Sequence, residues 1–208
     1  MSDTLVVNEI YLSLQGESTF AGLPCVFIRL TACDLRCSYC DTAYAFTEGK
    51  KMSLAVARAA VKRLAQPFTH HMPRTTLPLV ELTGGEPLLQ KNSLPLMKQL
   101  CDDGFTVLIE TSGAHDISPV DPRVRRIMDL KCPSSGEVAR NRFENIAQLK
   151  ATDEIKFVIG TVEDTSGRNN KSRSTSSTRF VRCSCHGCIH CRPGNRTSRS
   201  KKFRPVRR

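Results

Sequence analysis

Cys25-Val-Phe-Ile-Arg-Leu-Thr-Ala-Cys-Asp-Leu-Arg-Cys-Ser-Tyr-Cys40 decides how the rest of the chain is read. Its first six residues follow a Gly22-Leu-Pro turn and are β-branched, aromatic or apolar apart from Arg29, the pattern of a buried strand. Cys33, Cys37 and Cys40 then come at C-x3-C-x2-C spacing just beyond the strand. Three thiolates so spaced can wrap three corners of a 4Fe–4S cube, where most structural clusters use four cysteines. The missing fourth ligand leaves one iron open to chelate the amino and carboxylate groups of S-adenosylmethionine. One-electron reduction then splits the sulfonium into methionine and a 5′-deoxyadenosyl radical, which abstracts hydrogen from a substrate. The alternatives are a three-cysteine zinc site or unrelated buried thiols. Zinc prefers paired C-x2-C knuckles or added histidines, and no His lies near this loop.

Working outward, strand-like and helix-like stretches alternate through residue 164. Ser53 is expected to cap an amphipathic helix running to about Gln66. Leu79-Val-Glu-Leu82 reads as a short strand ending in a Gly-Gly turn. A helix over Leu94–Asp102 is expected to stop at Gly104. Thr106–Ile109, Ile127–Leu130 and Ile155–Ile159 supply further strands, with a helix near Arg142–Leu149. Strands separated by helices indicate βα units and a mostly parallel sheet, whose ligands gather beyond the carboxyl ends of the strands.

The 208 residues suffice for one domain, and 39% hydrophobic with 25% charged is the composition of an ordinary soluble protein. No run has the length a membrane span needs, and the first residues lack the pattern of a secretory signal, so a cytoplasmic location is expected. A reducing compartment favours metal ligation or free thiols over disulfides for the ten cysteines. The net charge of +11 belongs to the end of the chain: residues 165–208 hold 13 of the 31 Lys and Arg and none of the 20 Asp and Glu. The body before it gives no case for a nucleic-acid-binding face.

Glu81-Leu-Thr-Gly-Gly-Glu-Pro87 places Gly84 and Gly85 at a strand end, where backbone can approach a ligand closely. Glu86 and nearby carbonyls are candidates to accept hydrogen bonds from the methionine ammonium. Alone the segment also reads as a simple turn. Together with the cysteine loop, it makes residues 7–164 resemble the radical-SAM superfamily. The implied fold class is α/β, an abbreviated radical-SAM partial (βα) barrel with a mostly parallel sheet. The expected division is a core domain over 1–164 and a disordered basic tail over 165–208.

Ile10-Tyr-Leu-Ser-Leu-Gln-Gly-Glu17, Asp41-Thr42, Glu110-Thr-Ser-Gly113, Asp129-Leu-Lys-Cys-Pro-Ser-Ser-Gly136 and Ile155-Lys-Phe-Val-Ile-Gly160, in that order, look like 7-carboxy-7-deazaguanine synthases. That resemblance implies rearrangement of 6-carboxy-5,6,7,8-tetrahydropterin to 7-carboxy-7-deazaguanine with loss of ammonia, on the route to queuosine. It implies a 4Fe–4S cluster, S-adenosylmethionine and Mg²⁺, a flavodoxin or ferredoxin as electron donor, and a homodimer. The carried-over metal ligands are Cys33, Cys37 and Cys40 for the cluster and Thr42 for magnesium. Leu14, Gln15, Gly16, Glu17, Arg29 and Thr83 are the implied substrate contacts, Arg29 pairing with the carboxylate. Cofactor contacts fall on Tyr39, Cys40, Asp41, Gly84, Gly85, Glu86, Glu110, Thr111, Lys131, Cys132, Pro133, Ser134 and Ser135. For Arg29 the alternative is a structural ion pair; for Glu110-Thr111 and the Lys131–Ser135 stretch it is surface loops.

A glycyl-radical activase shares the cluster loop but fits the Gln-Gly-Glu, Asp-Thr and Pro-Ser-Ser-Gly segments poorly. Two departures from the synthase pattern stand out. Ser18 occupies a position where the family usually has Gly. After Asp164 the expected helix, strand and C-terminal segment of the pocket give way to Ser/Arg/Cys-rich sequence, whose bland explanation is a frameshift. An impaired enzyme is the expected consequence. The functional alternative is a non-enzymatic metal- and RNA-binding arm in which Cys183, Cys185, Cys188 and Cys191, with His186 and His190, hold the metal. His70-His71 read as an exposed loop.

Overall fold

The structure, a computed structural model, describes residues 3–69, 79–165 and 179–185. One eight-stranded sheet runs in the order β3-β1-β2-β4-β5-β6-β7-β8. Its strands are β1 (Thr4–Leu14), β2 (Pro24–Leu30), β3 (Lys50–Ser53), β4 (Leu79–Gly84), β5 (Val107–Thr111), β6 (Arg125–Asp129), β7 (Glu154–Ile159) and β8 (Arg179–Cys185). From β2 to β8 every neighbouring pair is parallel, while β1 runs antiparallel to both β2 and β3. Two helices, α1 (Leu54–Thr69) and α2 (Ser93–Asp102), belong to the crossovers that parallel pairing demands.

Strand alternation sorts the sheet's two faces. Val26, Ile28 and Leu30 of β2, Val80 and Leu82 of β4, and Val107 and Ile109 of β5 pack with Leu54, Ala57 and Val61 of α1 and Leu96, Met97 and Leu100 of α2. The intervening residues face the other way. Cys25, Phe27, Leu79, Leu108 and Ile127 form a smaller apolar cluster there. Arg29, Thr83, Glu110 and Asp129, nearer the carboxyl ends, line a cavity instead. Cross-strand pairs fix the β1–β2 register: Glu9 opposes Arg29, and Tyr11 stacks on Phe27 with ring centroids 5.2 Å apart.

The expected strands and both long helices are present, and the Ser53 hydroxyl accepts a hydrogen bond from the Val56 amide (3.3 Å) as the cap of α1. Two expectations need correction. β1 and β3 are strands beyond those expected. The stretch near Arg142–Leu149 is a 3-10 turn, Phe143–Gln148, rather than a regular helix. The buried Asn145 side chain donates to the Gly113 (3.2 Å) and His115 (2.7 Å) carbonyls, drawing the segment onto the loop after β5. Most of the stretch expected as a tail lies outside the described residues, and within it Arg179–Cys185 pairs parallel with β7.

Cys183 and Cys185 fall on β8, whereas His186, Cys188, His190 and Cys191, like His70 and His71, lie outside the described residues. Among the described residues no helix is long and apolar enough to cross a membrane.

Candidate functional site

At the carboxyl ends of β2 and β4–β7 lies a cavity of about 670 Å³. It collects Gln15, Gly16, Glu17, Arg29, Cys33, Cys37, Tyr39, Cys40, Asp41, Thr42, Thr83, Gly84, Gly85, Glu110, Thr111 and Lys131. All three loop cysteines therefore face one space with the Gly-Gly strand end and the Gln-Gly-Glu loop. Burial pushes the Cys33 and Cys37 thiols up in pKa, with Lys131 working against it at Cys37. Among the described residues no three His, Cys, Asp or Glu side chains converge as a single-ion site.

The two glycines work differently from the expectation of close approach to a ligand alone. A Cβ on Gly84 would lie 2.3 Å from the Leu30 carbonyl oxygen, and one on Gly85 would lie 2.0 Å from that of Ala32. Gly84 also has φ of +122°, in the region where side chains are strained. Their amide neighbours complete the contact: Gly85 N donates to Leu30 O (3.2 Å) and Glu86 N to Ala32 O (2.9 Å). The strand end is thus docked on the head of the cysteine loop.

Glu86 does not face the cavity. Its carboxylate is fully buried and accepts from the Thr111 hydroxyl (2.9 Å), the Ser112 amide (2.7 Å) and hydroxyl (2.5 Å), and the Leu88 amide (2.9 Å). It joins the end of β4 to that of β5, its acceptor capacity used within the protein. Cys132, Pro133, Ser134 and Ser135 are also set back from the cavity, and Leu14 is 62% exposed outside it. Of that group Lys131 alone lines the wall, its ammonium 2.7 Å from Asp129.

Arg29 lies in the wall, its Nε 2.7 Å from Glu9 and its Nη2 2.9 Å from the Tyr11 hydroxyl. It is thus a member of an ion pair and a cavity residue at once, and Nη1 stays outside these two contacts. The Thr42 hydroxyl donates to Asp41 (2.7 Å), putting two oxygen-bearing side chains side by side at the cavity edge.

Sequence reasoning assigned no role to Glu81, Asp129 and Lys156, all of which line the cavity. Lys156 bridges Glu110 (2.5 Å) and Glu17 (2.6 Å). Burial opposes the Glu110 charge, but Lys156 beside it holds that carboxyl below the ordinary range. Glu81, among Phe27 and its apolar neighbours, is pushed up to about 8 by burial and by the nearby Glu110 charge. Its carboxyl accepts a hydrogen bond from the Gln15 side-chain amide. A charged residue inside an apolar strand, in step with Thr83, was the available signal. Tyr39 is raised to about 12 by burial and Asp129. Its hydroxyl and Asp129 Oδ1 are buried without a hydrogen-bond partner, two polar atoms awaiting a polar ligand.

No family model matches the chain. The 7-carboxy-7-deazaguanine synthase of Koribacter versatilis (strain Ellin345) is 50% identical over 154 residues, 74% of this chain and 64% of that protein. That of Chlorobaculum tepidum is 44% identical over 156 residues, 74% and 66% of the two chains. The Thermoplasma acidophilum synthase is 36% identical over 157 residues, 74% and 70%. The chain thus spans about two thirds of the length of these relatives. The crystal structure of QueE from Escherichia coli superposes with a TM-score of 0.66 at 26% identity, covering 85% of this chain and 81% of that one. Sequence likeness and the shared α/β sheet agree, and the chain belongs to the 7-carboxy-7-deazaguanine synthase family.

Proposed function

We propose that this chain converts 6-carboxy-5,6,7,8-tetrahydropterin to 7-carboxy-7-deazaguanine with release of ammonia, as a radical-SAM enzyme. The observation that carries the reading is the shared cavity: Cys33, Cys37 and Cys40 line the same space as Arg29, Thr83 and the Gln15–Glu17 loop. A 4Fe–4S cluster with S-adenosylmethionine on its open iron supplies a one-electron route to hydrogen abstraction from the substrate. The donor set suits such a group, since three thiols line the cavity together with Tyr39 and Asp129, whose hydroxyl and Oδ1 lack a hydrogen-bond partner among the described residues.

The chain's own residues then divide the remaining work. Arg29, fixed by Glu9 and Tyr11, presents its guanidinium to a substrate carboxylate. Gln15 and Glu17, anchored through Glu81 and Lys156, hold the hydrogen-bonding edge of the pterin. The Thr42 hydroxyl is a hard oxygen donor suited to Mg²⁺. A flavodoxin or ferredoxin as reductant and a homodimeric state complete the proposal.

Anaerobic reconstitution, followed by incubation with dithionite, S-adenosylmethionine and carboxy-tetrahydropterin, tests it. The expected product is 7-carboxy-7-deazaguanine, identified by mass. Substrate-independent loss of S-adenosylmethionine with no deazaguanine would sink the proposal.

A further inference from the structure

Residues 31–42, which carry the three cysteines, contain neither helix nor strand. Their positions must come from neighbours, because irregular backbone has no ladder of its own to hold side chains in place. Besides the strand end at Gly85 and Glu86, that neighbour is the stretch Ser134–Arg140, whose Ser134 and Ser135 stand back from the cavity although the resemblance placed them at the cofactor. Ser38 N donates to Ser135 O (3.0 Å) and Ser38 Oγ to Ser134 O (2.6 Å). Arg36 N donates to the Glu137 carboxylate (2.5 Å), and Arg140 forms an ion pair with Asp34. These supports fall at positions 34, 36 and 38, between the ligands at 33, 37 and 40.

The stretch is itself anchored. Asp164, buried at 1% exposure, accepts from Ser134 N (2.9 Å), Ser134 Oγ (2.6 Å), Gly160 N (2.8 Å) and Thr161 N (2.9 Å). Gly160 admits this packing, since a Cβ there would lie 2.7 Å from Ser134 Oγ. The Ser135 hydroxyl, also fully buried, closes the turn onto Cys132 O (2.6 Å).

We propose that Asp164, Ser134 and Ser38 form a hydrogen-bonded relay that positions the cysteine loop for its cluster, so that the last acidic residue of the chain governs cluster retention. The inference rests on the cluster proposed above. Ser38 and Asp164 are positioning residues and touch neither substrate nor the reacting atoms. Ser38→Ala removes one of the two hydrogen bonds that tie this exposed residue, between Cys37 and Cys40, to Ser134 and Ser135, without opening the core. Loss of an outer hydrogen-bond partner of a metal site weakens metal retention by about tenfold or more.

The test compares full-length wild type with Ser38→Ala, Ser38→Thr and Asp164→Ala after anaerobic reconstitution. The readouts are iron per chain, decay of the visible absorption under a ferrous chelator, and the melting temperature of each apo-protein. Ser38→Ala is expected to lose its cluster about tenfold faster with an unchanged apo melting temperature. Ser38→Thr, which keeps the hydroxyl, is expected to restore the wild-type rate. Asp164→Ala is expected to share the fast loss. A wild type that loads iron while Ser38→Ala decays at the same rate overturns the relay and leaves the cluster intact. A wild type that takes up no cluster overturns both.

Discussion

A Cβ on Gly85 would sit 2.0 Å from the Ala32 carbonyl oxygen, so the end of β4 and the head of the cysteine loop meet backbone to backbone. Ala32 itself has φ of +81°, and its carbonyl accepts the Glu86 amide (2.9 Å). Gly85→Ala must push these segments apart, because the obstructing atoms are backbone and cannot rotate away. The expected cost is about 3 kcal/mol of stability, at the high end for overpacking, together with reduced iron uptake. A urea titration and an iron assay read both. Wild-type values for each would show that the contact yields easily.

Glu81 gives the pocket a pH signature. Its folded pKa of about 8 stands above the ordinary 4.5, so between those values the folded protein binds more protons than the unfolded chain. Stability therefore contains a contribution that is complete below pH 4.5 and declines as pH rises through about 8. Glu81→Gln removes that contribution. The variant is expected to have a flatter dependence of its urea midpoint from pH 5 to pH 8.5, and to gain on wild type at the alkaline end. Parallel profiles would mean that Glu81 is ionised throughout this range.

Ser18 sits at φ of +60°, a left-handed conformation in which glycine meets no such penalty. The Ser18 hydroxyl partly offsets the strain by accepting from the Phe20 amide (3.1 Å). Ser18→Gly is expected to stabilise the protein by about 0.5–1 kcal/mol, measured by thermal melting, because the strain exceeds one part-buried hydrogen bond. A lower melting temperature would reverse that balance.

Lys156→Met leaves Glu17 and Glu110 without their shared cation. The expected loss is about 2 kcal/mol of stability, moderated by the partial exposure of both carboxylates. Weaker pterin binding is expected to accompany it, as Glu17 loses its ion pair with Lys156. Equilibrium denaturation and a binding isotherm separate the two effects; an unchanged isotherm would release Lys156 from the substrate site.

How far the sequence could be read depended on what holds each element. β2 and β4–β7 each carry apolar residues buried in the sheet, and these made the strands legible. β1 contains Asn8, Glu9 and Ser13, and β3 is Lys-Lys-Met-Ser; both exist because an antiparallel edge was available, which no local pattern announces. The cysteine and glycine motifs located the cavity. The roles of Glu86 and Ser134–Ser135 were not legible, because a polar residue near a ligand loop looks the same whether it contacts the ligand or braces the loop. Glu81 and Lys156 lay within stretches read as strands, and their meeting across the sheet depends on parallel register.

The most direct measurement is the iron and sulfide content of the anaerobically reconstituted chain, compared with Cys33→Ala, Cys37→Ala and Cys40→Ala. The account predicts about four iron and four sulfide per wild-type chain and near-complete loss in each variant. Zinc in place of iron, or a cluster that survives removal of any one of these cysteines, would contradict it.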